Sequence, residues 1–319
     1  MREIQGIVMT GASSMLGLAL IDEALRRHVR VLAIVRRDSK KADRIPHSDL
    51  VTVVEADLNE LDGVPDMASV KETVESGAWD AFFHFGWEST TREGRSNIEG
   101  QLVNVEHTMR AVRLAAALGC RVFVGAGSQA EYGLKDLDKI SPETPVDPVV
   151  PYGICKYAAG KLGKLLAEQL GIDFIWTRIF SVFGVHDNPT TMLISAIAAL
   201  HRGERMAFTA GEQRWDYLYS EDAVRALFML AQSGKSGELY CIGSGKPRLL
   251  RDYLEAVRQV VNPDGELGIG ERPYPPGCVM NICADISKLT RDTGWKPEIP
   301  FEEGVRRMYE AMKDKGWLQ

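Results

Sequence analysis

Residues 4–35 constrain the fold of this chain most. A short apolar run at 4–9 is followed by a turn of small residues from Thr10 to Gly17, an amphipathic segment at 18–27 and a second apolar run at 29–35. Strand, glycine turn, helix and strand in this order predict a βαβ unit whose turn binds the pyrophosphate of a dinucleotide. A plain strand-to-helix turn is the alternative interpretation of the same residues.

The turn residues have distinct predicted roles. Gly11 would permit the tight turn, and Gly17 would allow the helix to pack closely on the strand. Ser14 stands where a middle glycine is common, and its small side chain should still let the backbone approach a ligand. The backbone N–H groups at the helix start, from Ser13 to Met15, would then face the phosphates.

The second apolar run ends in two arginines. An acidic residue at that place would bind the ribose 2′-hydroxyl of NAD, whereas a guanidinium suits the 2′-phosphate of NADP. Arg36 is the better candidate because it directly follows the apolar run, and Lys40 and Lys41 could assist. The sequence therefore favours NADP, with NAD still possible. A solvated cluster of loop charges is the alternative.

Three further strands are predicted at 51–58, 80–86 and 121–128, with a long helix at 104–118. This alternation predicts an α/β fold with a doubly wound parallel sheet. The carboxyl ends of such strands face the ligand crevice, which makes Asp57, Leu58 and Gly86 candidate cofactor contacts. Asp57 could meet the adenine amino group or only cap a helix. His84 lies within an apolar run, where a hydrogen-bonded core histidine is expected rather than a catalyst.

Composition excludes several classes of protein. With 319 residues, 45% of them hydrophobic, the chain can form one large or two modest domains. A net charge of −6 gives no basic field for nucleic acid. We expect neither a membrane span nor a signal peptide. The five cysteines are scattered without zinc-ligand spacing, which indicates reduced thiols, a cytoplasmic protein and no metal site.

Tyr152 and Lys156 are the candidate catalytic pair. On a helix, residues four apart project from one face. A phenol with a pKa of about 10 exchanges protons poorly at neutral pH, and a nearby cation should lower that value. A solvated helix face with the same spacing is the alternative.

Seven motifs occur in a characteristic order along almost the whole chain. They are Thr10-Gly11…Gly17, Asp57-Leu58, Ser128…Tyr132-Gly133, Tyr152…Lys156, Arg178 to Gly184, Asp216 to Asp222, and Asp285 to Pro297. In this order they resemble the extended short-chain dehydrogenase/reductase family, in the branch that acts on nucleotide sugars. The resemblance implies a Rossmann-type NAD(P)-binding domain at 1–180, a smaller substrate domain at 181–319, and a strand near 238–243 that returns to the large sheet.

The resemblance also implies the catalytic roles. Tyr152 would be the general acid/base, Lys156 would hold the nicotinamide ribose and lower the tyrosine pKa, and Ser128 would orient the substrate oxygen. The resemblance further assigns candidate substrate contacts. They are Ser128, Gln129, Ser181, Thr209, Arg214, Tyr217 and Arg272.

Two departures from the family pattern bear on the reaction. Relatives that eliminate water carry an Asp-Glu pair where this chain has Gln129 and Ala130, which argues against a 4,6-dehydratase. Glu131, one residue further on, keeps a weaker version of that option open. The family arginine before Asp216 is replaced by Trp215, so that Arg214 either rearranges phosphate binding or points outward.

The resulting prediction is an NADP-preferring 4-epimerase or 4-ketoreductase of nucleotide-diphosphate sugars. A nucleotide-sugar dehydratase, a reductase of a non-sugar carbonyl and a non-catalytic NADP-sensing protein are the alternatives. By resemblance we expect a homodimer formed through the helices at about 100–118 and 152–170.

Overall fold

A computed structural model describes residues 1–75, 79–275 and 277–318. Its strands, in chain order, are β1 (Gly6–Thr10), β2 (Arg30–Val35), β3 (Val51–Glu55), β4 (Ala81–His84), β5 (Val122–Ser128), β6 (Asp173–Ile179), β7 (Ser181–Phe183), β8 (Met206–Ala207), β9 (Arg214–Trp215), β10 (Tyr217–Tyr219), β11 (Leu239–Ile242), β12 (Arg248–Leu249) and β13 (Leu267–Gly268). Its α-helices are α1 (Met15–Arg26), α2 (Ala68–Glu75), α3 (Ile98–Ala117), α4 (Pro151–Leu170), α5 (Met192–His201), α6 (Ser220–Ser233), α7 (Leu250–Val261), α8 (Ser287–Thr293) and α9 (Phe301–Asp314).

The central sheet has seven strands in the order β11-β6-β5-β4-β1-β2-β3, and all its pairs are parallel. The predicted doubly wound α/β fold is confirmed. Strand order reverses between β1 and β4, which opens a crevice at the carboxyl ends of these strands. The inner strands are uninterrupted apolar runs because helices cover both faces of a parallel sheet.

Two helical layers bury the two faces of the sheet. On one face α1 and α6 pack side by side over alternate residues of the strands, such as Ile7 and Met9. On the other face α3 and α4 pack side by side over the intervening residues, such as Val8 and Phe82. The alternation follows from the two-residue period of a strand, and it fixes the register of every strand against its helices.

The C-terminal part builds a separate core from α5, α7 and α9, centred on aromatic residues such as Phe183 and Phe301. Short strand pairs, β7 with β10, β9 with β12 and β8 with β13, connect these helices. Between them β11 pairs in parallel with β6 of the central sheet. The chain therefore passes back to the large sheet before it completes the smaller core.

Helix α3 begins earlier in the structure than the sequence predicts. The long helix predicted from residue 104 begins at Ile98, because the Asn97 side chain accepts a hydrogen bond from the Gly100 N–H and caps it. Within the described ranges, no helix is both long and apolar enough to cross a membrane.

Candidate active site

The glycine turn forms one wall of a cavity of about 540 Å³ at the carboxyl ends of β1, β2 and β4. Gly11 has a left-handed backbone (φ 69°), and a Cβ there would lie 2.8 Å from the Gly86 nitrogen. Gly17 is equally constrained, because its Cβ would lie 2.4 Å from the Gly11 carbonyl oxygen. Gly11 therefore allows the predicted tight turn and its contact with Gly86, while Gly17 allows the predicted close approach of α1.

We call this space the glycine-turn cavity. Among the predicted cofactor contacts, its lining contains Gly11, Ser13, Ser14, Arg36, Leu58 and Gly86. Ser14 is the N-cap of α1, and its hydroxyl accepts a hydrogen bond from the Gly17 N–H at 3.0 Å. The first-turn N–H groups of a helix lack carbonyl partners within the helix and attract anions. The residues present thus fit the pyrophosphate of a dinucleotide.

The rim of the glycine-turn cavity at the end of β2 is positively charged. Arg36, Lys40 and Lys41 line it, together with Asp38. The neighbouring Arg37 turns away and pairs with Glu60, with a distance of 2.8 Å between Nε and Oε2. Of the two consecutive arginines, Arg36 is the one directed to the cavity. Asp57 lies behind this rim, where its carboxylate accepts a hydrogen bond from the Arg37 N–H at 3.3 Å.

A second cavity of about 540 Å³ continues from the first, since Ser14, Phe85 and Trp87 line both. We call it the tyrosine cavity because Tyr152 projects into it. Its lining contains eight of the predicted site residues: Ser14, Met15, Ser128, Gln129, Tyr152, Lys156, Ser181 and Tyr217. The three candidate catalytic side chains, which come from β5 and α4, thus line one cavity.

Lys156 is nearly fully buried at the floor of the tyrosine cavity. Its Nζ donates to the carbonyl oxygen of Ala126 at 2.6 Å and lies 3.7 Å from the centre of the Trp87 ring. Burial lowers its pKa to about 7, although the Glu131 carboxylate opposes this shift. Lys156 can therefore exchange a proton near neutral pH, which an exposed lysine cannot.

The pKa of Tyr152 differs in direction from the prediction. Burial raises it, and the charge of Arg95 and a hydrogen bond to Ser128 only partly offset that rise. Lys156 is not the lowering group, because its Nζ points to Ala126 and lies 5.9 Å from the centre of the phenol ring. Tyr152 is thus held in its neutral, proton-bearing form.

Arg95 and Asp187 are cavity residues that the sequence interpretation missed. Arg95, in the 3₁₀ turn Gly94–Ser96, places its guanidinium carbon 4.8 Å from the centre of the Tyr152 ring. Asp187 is the only carboxylate among the described residues that line the tyrosine cavity, and burial raises its pKa to about 6. No local pattern marks either residue, since one lies in an exposed loop and the other in a connector.

Five predicted site residues lie outside both cavities: Gly17, Asp57, Thr209, Arg214 and Arg272. The Thr209 carbonyl oxygen and the Arg272 N–H belong to one exposed loop pair near β8. In β9, Arg214 has about half of its side chain exposed, while the adjacent Trp215 lines the tyrosine cavity. Alternation along this strand therefore turns Arg214 outward, which is one of the two options that the sequence left open.

His84 and Glu131, whose roles the sequence left open, are buried residues with hydrogen-bonding partners inside the protein. His84 is buried, its Nδ1 lies 2.7 Å from the Thr10 hydroxyl, and burial lowers its pKa to about 3, so it is a neutral core histidine as predicted. Glu131 is fully buried away from the tyrosine cavity and paired with Arg178. Within the described ranges, no cluster of three or more His, Cys, Asp or Glu could hold a metal ion.

The chain is similar to known proteins along most of its length. A model of the NAD-dependent epimerase/dehydratase family matches residues 7–243. The chain is 26% identical to a putative UDP-glucose 4-epimerase of Methanocaldococcus jannaschii, over 97% of this chain and 98% of that protein. It is also 26% identical to human dTDP-D-glucose 4,6-dehydratase, over 66% of this chain and 62% of that enzyme.

Solved structures share the fold at lower identity. A UDP-glucose 4-epimerase of Thermotoga maritima with UDP-glucose superposes with a TM-score of 0.84 at 19% identity, covering 97% of this chain and 99% of that one. A dTDP-glucose 4,6-dehydratase of Streptomyces venezuelae with NAD bound gives 0.80 at 17% identity, covering 98% and 100%. Epimerases and dehydratases both occur among these similar proteins.

Proposed function

Because the chain belongs to the NAD-dependent epimerase/dehydratase family, we propose that it is an oxidoreductase of nucleotide-diphosphate sugars that acts at the sugar C4 position. One observation carries the proposal. Ser128, Tyr152 and Lys156 line a cavity that continues into the glycine-turn cavity, so that a sugar and a dinucleotide can lie side by side. Residues 1–180 then hold the cofactor and residues 181–319 cover the sugar and its nucleotide.

The chain's own residues supply proton transfer and orientation. A bound nicotinamide accepts or donates the hydride. Tyr152 would hold the proton that the sugar oxygen gains or loses, and Ser128 would orient that oxygen by a hydrogen bond. Arg95 places positive charge beside the phenol, which favours its ionised form when a hydroxyl must be deprotonated.

Elimination of water is disfavoured in this site. This chain has Gln129 and Ala130 where dehydrating relatives carry an acidic pair, and neither side chain can exchange protons. Glu131 is committed to Arg178 and to backbone and indole donors. Of the remaining reactions we favour the 4-epimerase, because one relative matched along nearly the whole chain is a putative UDP-glucose 4-epimerase. Dehydratases match over a similar length, but Gln129 and Ala130 disfavour their reaction in this chain. A 4-ketoreductase is the second candidate, favoured by the basic rim of the glycine-turn cavity.

The experiment begins with the purified full-length protein, from which heat-released nucleotides are identified by mass spectrometry. UDP- and dTDP-hexoses are then offered with NADP or NAD, and their 4-keto derivatives with NADPH or NADH, while the products are followed by NMR. Formation of the epimer without net cofactor oxidation identifies the epimerase, whereas stoichiometric consumption of NADPH identifies the reductase. Tyr152→Phe should lower kcat by about 10²–10⁴-fold.

Tyr157→Phe is the matched control, since this tyrosine lies one turn further along α4 and outside the tyrosine cavity. Wild-type turnover in Tyr152→Phe would contradict the catalytic assignment. A nucleoside diphosphate that fails to raise the melting temperature would favour the non-sugar carbonyl reductase. Binding of NADP without turnover of any carbonyl or sugar would favour the NADP-sensing protein.

NADP is the proposed preferred cofactor, with NAD as the alternative. The cations Arg36, Lys40 and Lys41 suit a 2′-phosphate, while Asp38 on the same rim could accept a hydrogen bond from the NAD ribose. Arg36→Ala should weaken NADPH binding by about 10-fold, as expected for one charge-assisted hydrogen bond, and leave NADH binding unchanged. Arg37→Ala, which removes the neighbouring guanidinium directed to Glu60, is the control. Equal weakening of both cofactors by Arg36→Ala would remove the basis for NADP.

The chain is also proposed to be a homodimer in the reducing cytoplasm. Large apolar side chains stand exposed on the adjacent helices α3 and α4: Ile98, Leu102, Val103, Ile154, Leu162, Leu165 and Leu170. A second copy would remove these side chains from water. The five cysteines are free thiols, as a reducing compartment requires.

A further inference from the structure

Glu131 is a fully buried carboxylate that the proposed reaction does not use. It lies in the 3₁₀ turn Gln129–Tyr132 that follows β5, and it is not among the residues that line the tyrosine cavity. Burial of a carboxylate is costly unless donors surround it. The identity of those donors shows what the carboxylate does.

Three donors from two strands converge on this one group. Its Oε1 accepts a hydrogen bond from the Ser128 N–H at 2.9 Å and from Trp176 Nε1 at 3.0 Å. Its Oε2 accepts from Arg178 Nε at 2.8 Å, and this arginine is also buried. The carboxylate thereby connects the end of β5, which carries Ser128, to Trp176 and Arg178 of the neighbouring strand β6.

The contact with Ser128 is one half of a reciprocal cap. The Ser128 hydroxyl accepts a hydrogen bond from the Ala130 N–H at 3.2 Å, while the Glu131 side chain accepts from the Ser128 N–H. Two such bonds fix the point at which a strand passes into a helical turn. They fix the direction of the serine side chain, which lines the tyrosine cavity with Tyr152 and lowers the pKa of its phenol.

Neighbouring glycines make room for this arrangement. A Cβ at Gly127 would lie 2.3 Å from Glu131 Oε1, and one at Gly160 would lie 2.7 Å from the Trp176 ring. A strand position and a helix position thus lack side chains where the carboxylate and the indole approach. A buried ion pair is by itself weak evidence for stability, since apolar residues of similar volume often serve as well. Its placement beside Ser128 therefore points to function.

We propose that Glu131 is a positioning residue, which holds the Ser128 hydroxyl against Tyr152 from behind β5 and is itself held by Trp176 and Arg178. This inference rests on the proposed function only in that Ser128 and Tyr152 meet the substrate. The positioning role accounts for the place of the acidic residue in this turn. Glu131 lies outside the tyrosine cavity, whereas Gln129 lines it.

Glu131 also contributes charge to the site. The charged groups around Lys156 are Glu131, which raises its pKa, and Arg95, which lowers it, while His84 packs nearby in its neutral form. Removal of the carboxylate charge should therefore lower the pKa of Lys156. The positioning effect and the charge effect can be separated by two substitutions.

Glu131→Gln removes the charge and disrupts the contact with Arg178. Trp176→Phe removes one donor and leaves the charge in place. For the sugar substrate identified in the turnover assay, we expect Glu131→Gln to lower kcat by about 10- to 100-fold with KM nearly unchanged, as a displaced catalytic hydroxyl does. The alkaline limb of its kcat–pH profile should move to lower pH. Trp176→Phe should lower kcat by less and leave that limb in place.

Asp222→Asn is the matched control. This buried carboxylate also accepts two backbone N–H groups, those of Glu298 and Ile299, and pairs with Arg225, but it lies outside both cavities. We expect it to lower the melting temperature without changing kcat at a temperature where it is folded. If Glu131→Gln fails to fold, Trp176→Phe tests the positioning effect alone.

Wild-type kcat and pH profile in a folded Glu131→Gln would overturn the proposal, and so would a fall in kcat of equal size in Asp222→Asn. A crystal structure of Glu131→Gln gives a readout that does not need turnover, with the Ser128 hydroxyl expected to move away from Tyr152. If the wild type turned over no nucleotide sugar, the proposed function would fail, while an unmoved Ser128 would overturn the positioning role separately.

Discussion

At the scale of single residues, Lys156 combines its proposed catalytic position with a cost in stability. Its ammonium is buried, and its folded-state pKa is about 7 against a usual value of 10.5. Between these two values the unfolded chain binds more protons than the folded one, so the free energy of unfolding rises with pH. Below pH 7 the full burial penalty applies. A group that destabilises the fold and is nevertheless present is expected at a functional site.

Lys156→Met tests this trade-off. We expect activity to fall by at least about 100-fold, while the free energy of unfolding at pH 6 rises by about 1 kcal/mol. The gain is smaller than the pKa shift implies because the hydrogen bond to Ala126 and the contact with Trp87 are lost. Urea denaturation at pH 6 and pH 9 is the measurement, and the gain should shrink at pH 9. A loss of stability that is the same at both pH values would contradict the burial argument.

Asp187 changes the free energy of unfolding with pH in the opposite direction to Lys156. Burial raises its pKa from 3.8 to about 6, so the folded chain retains a proton that the unfolded chain releases. The free energy of unfolding therefore falls as pH rises from about 4 to 6, and the penalty is complete above that window. Asp187→Asn keeps an oxygen to accept from the Asn188 N–H, as the carboxylate does at 2.7 Å. It should stabilise the protein by about 1 kcal/mol at pH 8 and not at pH 4, as measured by urea denaturation at both pH values. An equal effect at both would show that charge is not the cause.

At the scale of elements, the glycine turn couples the sheet to α1. The helix can begin at Met15 only because Gly17 lies against the carbonyl groups of Gly11 and Ala12. The Ser14 cap then aims the first turn of α1 at the glycine-turn cavity. Packing of α1 and the proposed binding of phosphate therefore depend on the same spacing between Ser14 and Gly17.

Gly17→Ala should separate these elements. The added Cβ would lie 2.4 Å from the Gly11 oxygen, and backbone atoms cannot move aside at low cost. We expect a loss of about 2 kcal/mol in the free energy of unfolding and at least a 10-fold weaker affinity for NADP or NAD. Thermal unfolding and fluorescence titration of the cofactor are the measurements. Gly63→Ala is the matched control, since Gly63 likewise has no left-handed backbone but has open space around its Cβ. Unchanged cofactor affinity in Gly17→Ala would refute the coupling.

Elements that depend on residues close together in the chain could be predicted from the sequence. Five of the seven strands of the central sheet follow from apolar runs and turns, and the resemblance added β11, whereas β6 was not predicted. The glycine turn and the Tyr152–Lys156 spacing each lie within a few residues. Features that depend on distant contacts could not be read. Glu131 meets Arg178 across 47 positions, and the direction of the Tyr152 pKa depends on burial and on Arg95.

At the scale of the whole molecule, the exposed apolar face of α3 and α4 stands opposite the sheet. Leu102 and Leu165 are each more than half exposed. Both helices also carry residues around the active site, since α4 supplies Tyr152 and Gln101 of α3 accepts a hydrogen bond from the Trp87 indole at 2.9 Å. A partner that packed on this face would therefore rigidify two walls of the tyrosine cavity from outside.

Leu165→Glu tests this arrangement. A carboxylate in the centre of an apolar interface would have to be desolvated without a partner, so the dimer should dissociate with a Kd at least about 100-fold weaker. Sedimentation velocity over a range of protein concentrations measures the Kd of the dimer.

Leu134→Glu is the matched control, because Leu134 is equally exposed, at 57% against 56%, but belongs to a loop and not to α3 or α4. If the wild type sediments as a monomer, or if both variants remain dimeric, the interface lies elsewhere. If Leu165→Glu is a monomer that keeps the wild-type kcat, each subunit forms its active site without support from a partner, and the apolar face serves assembly alone.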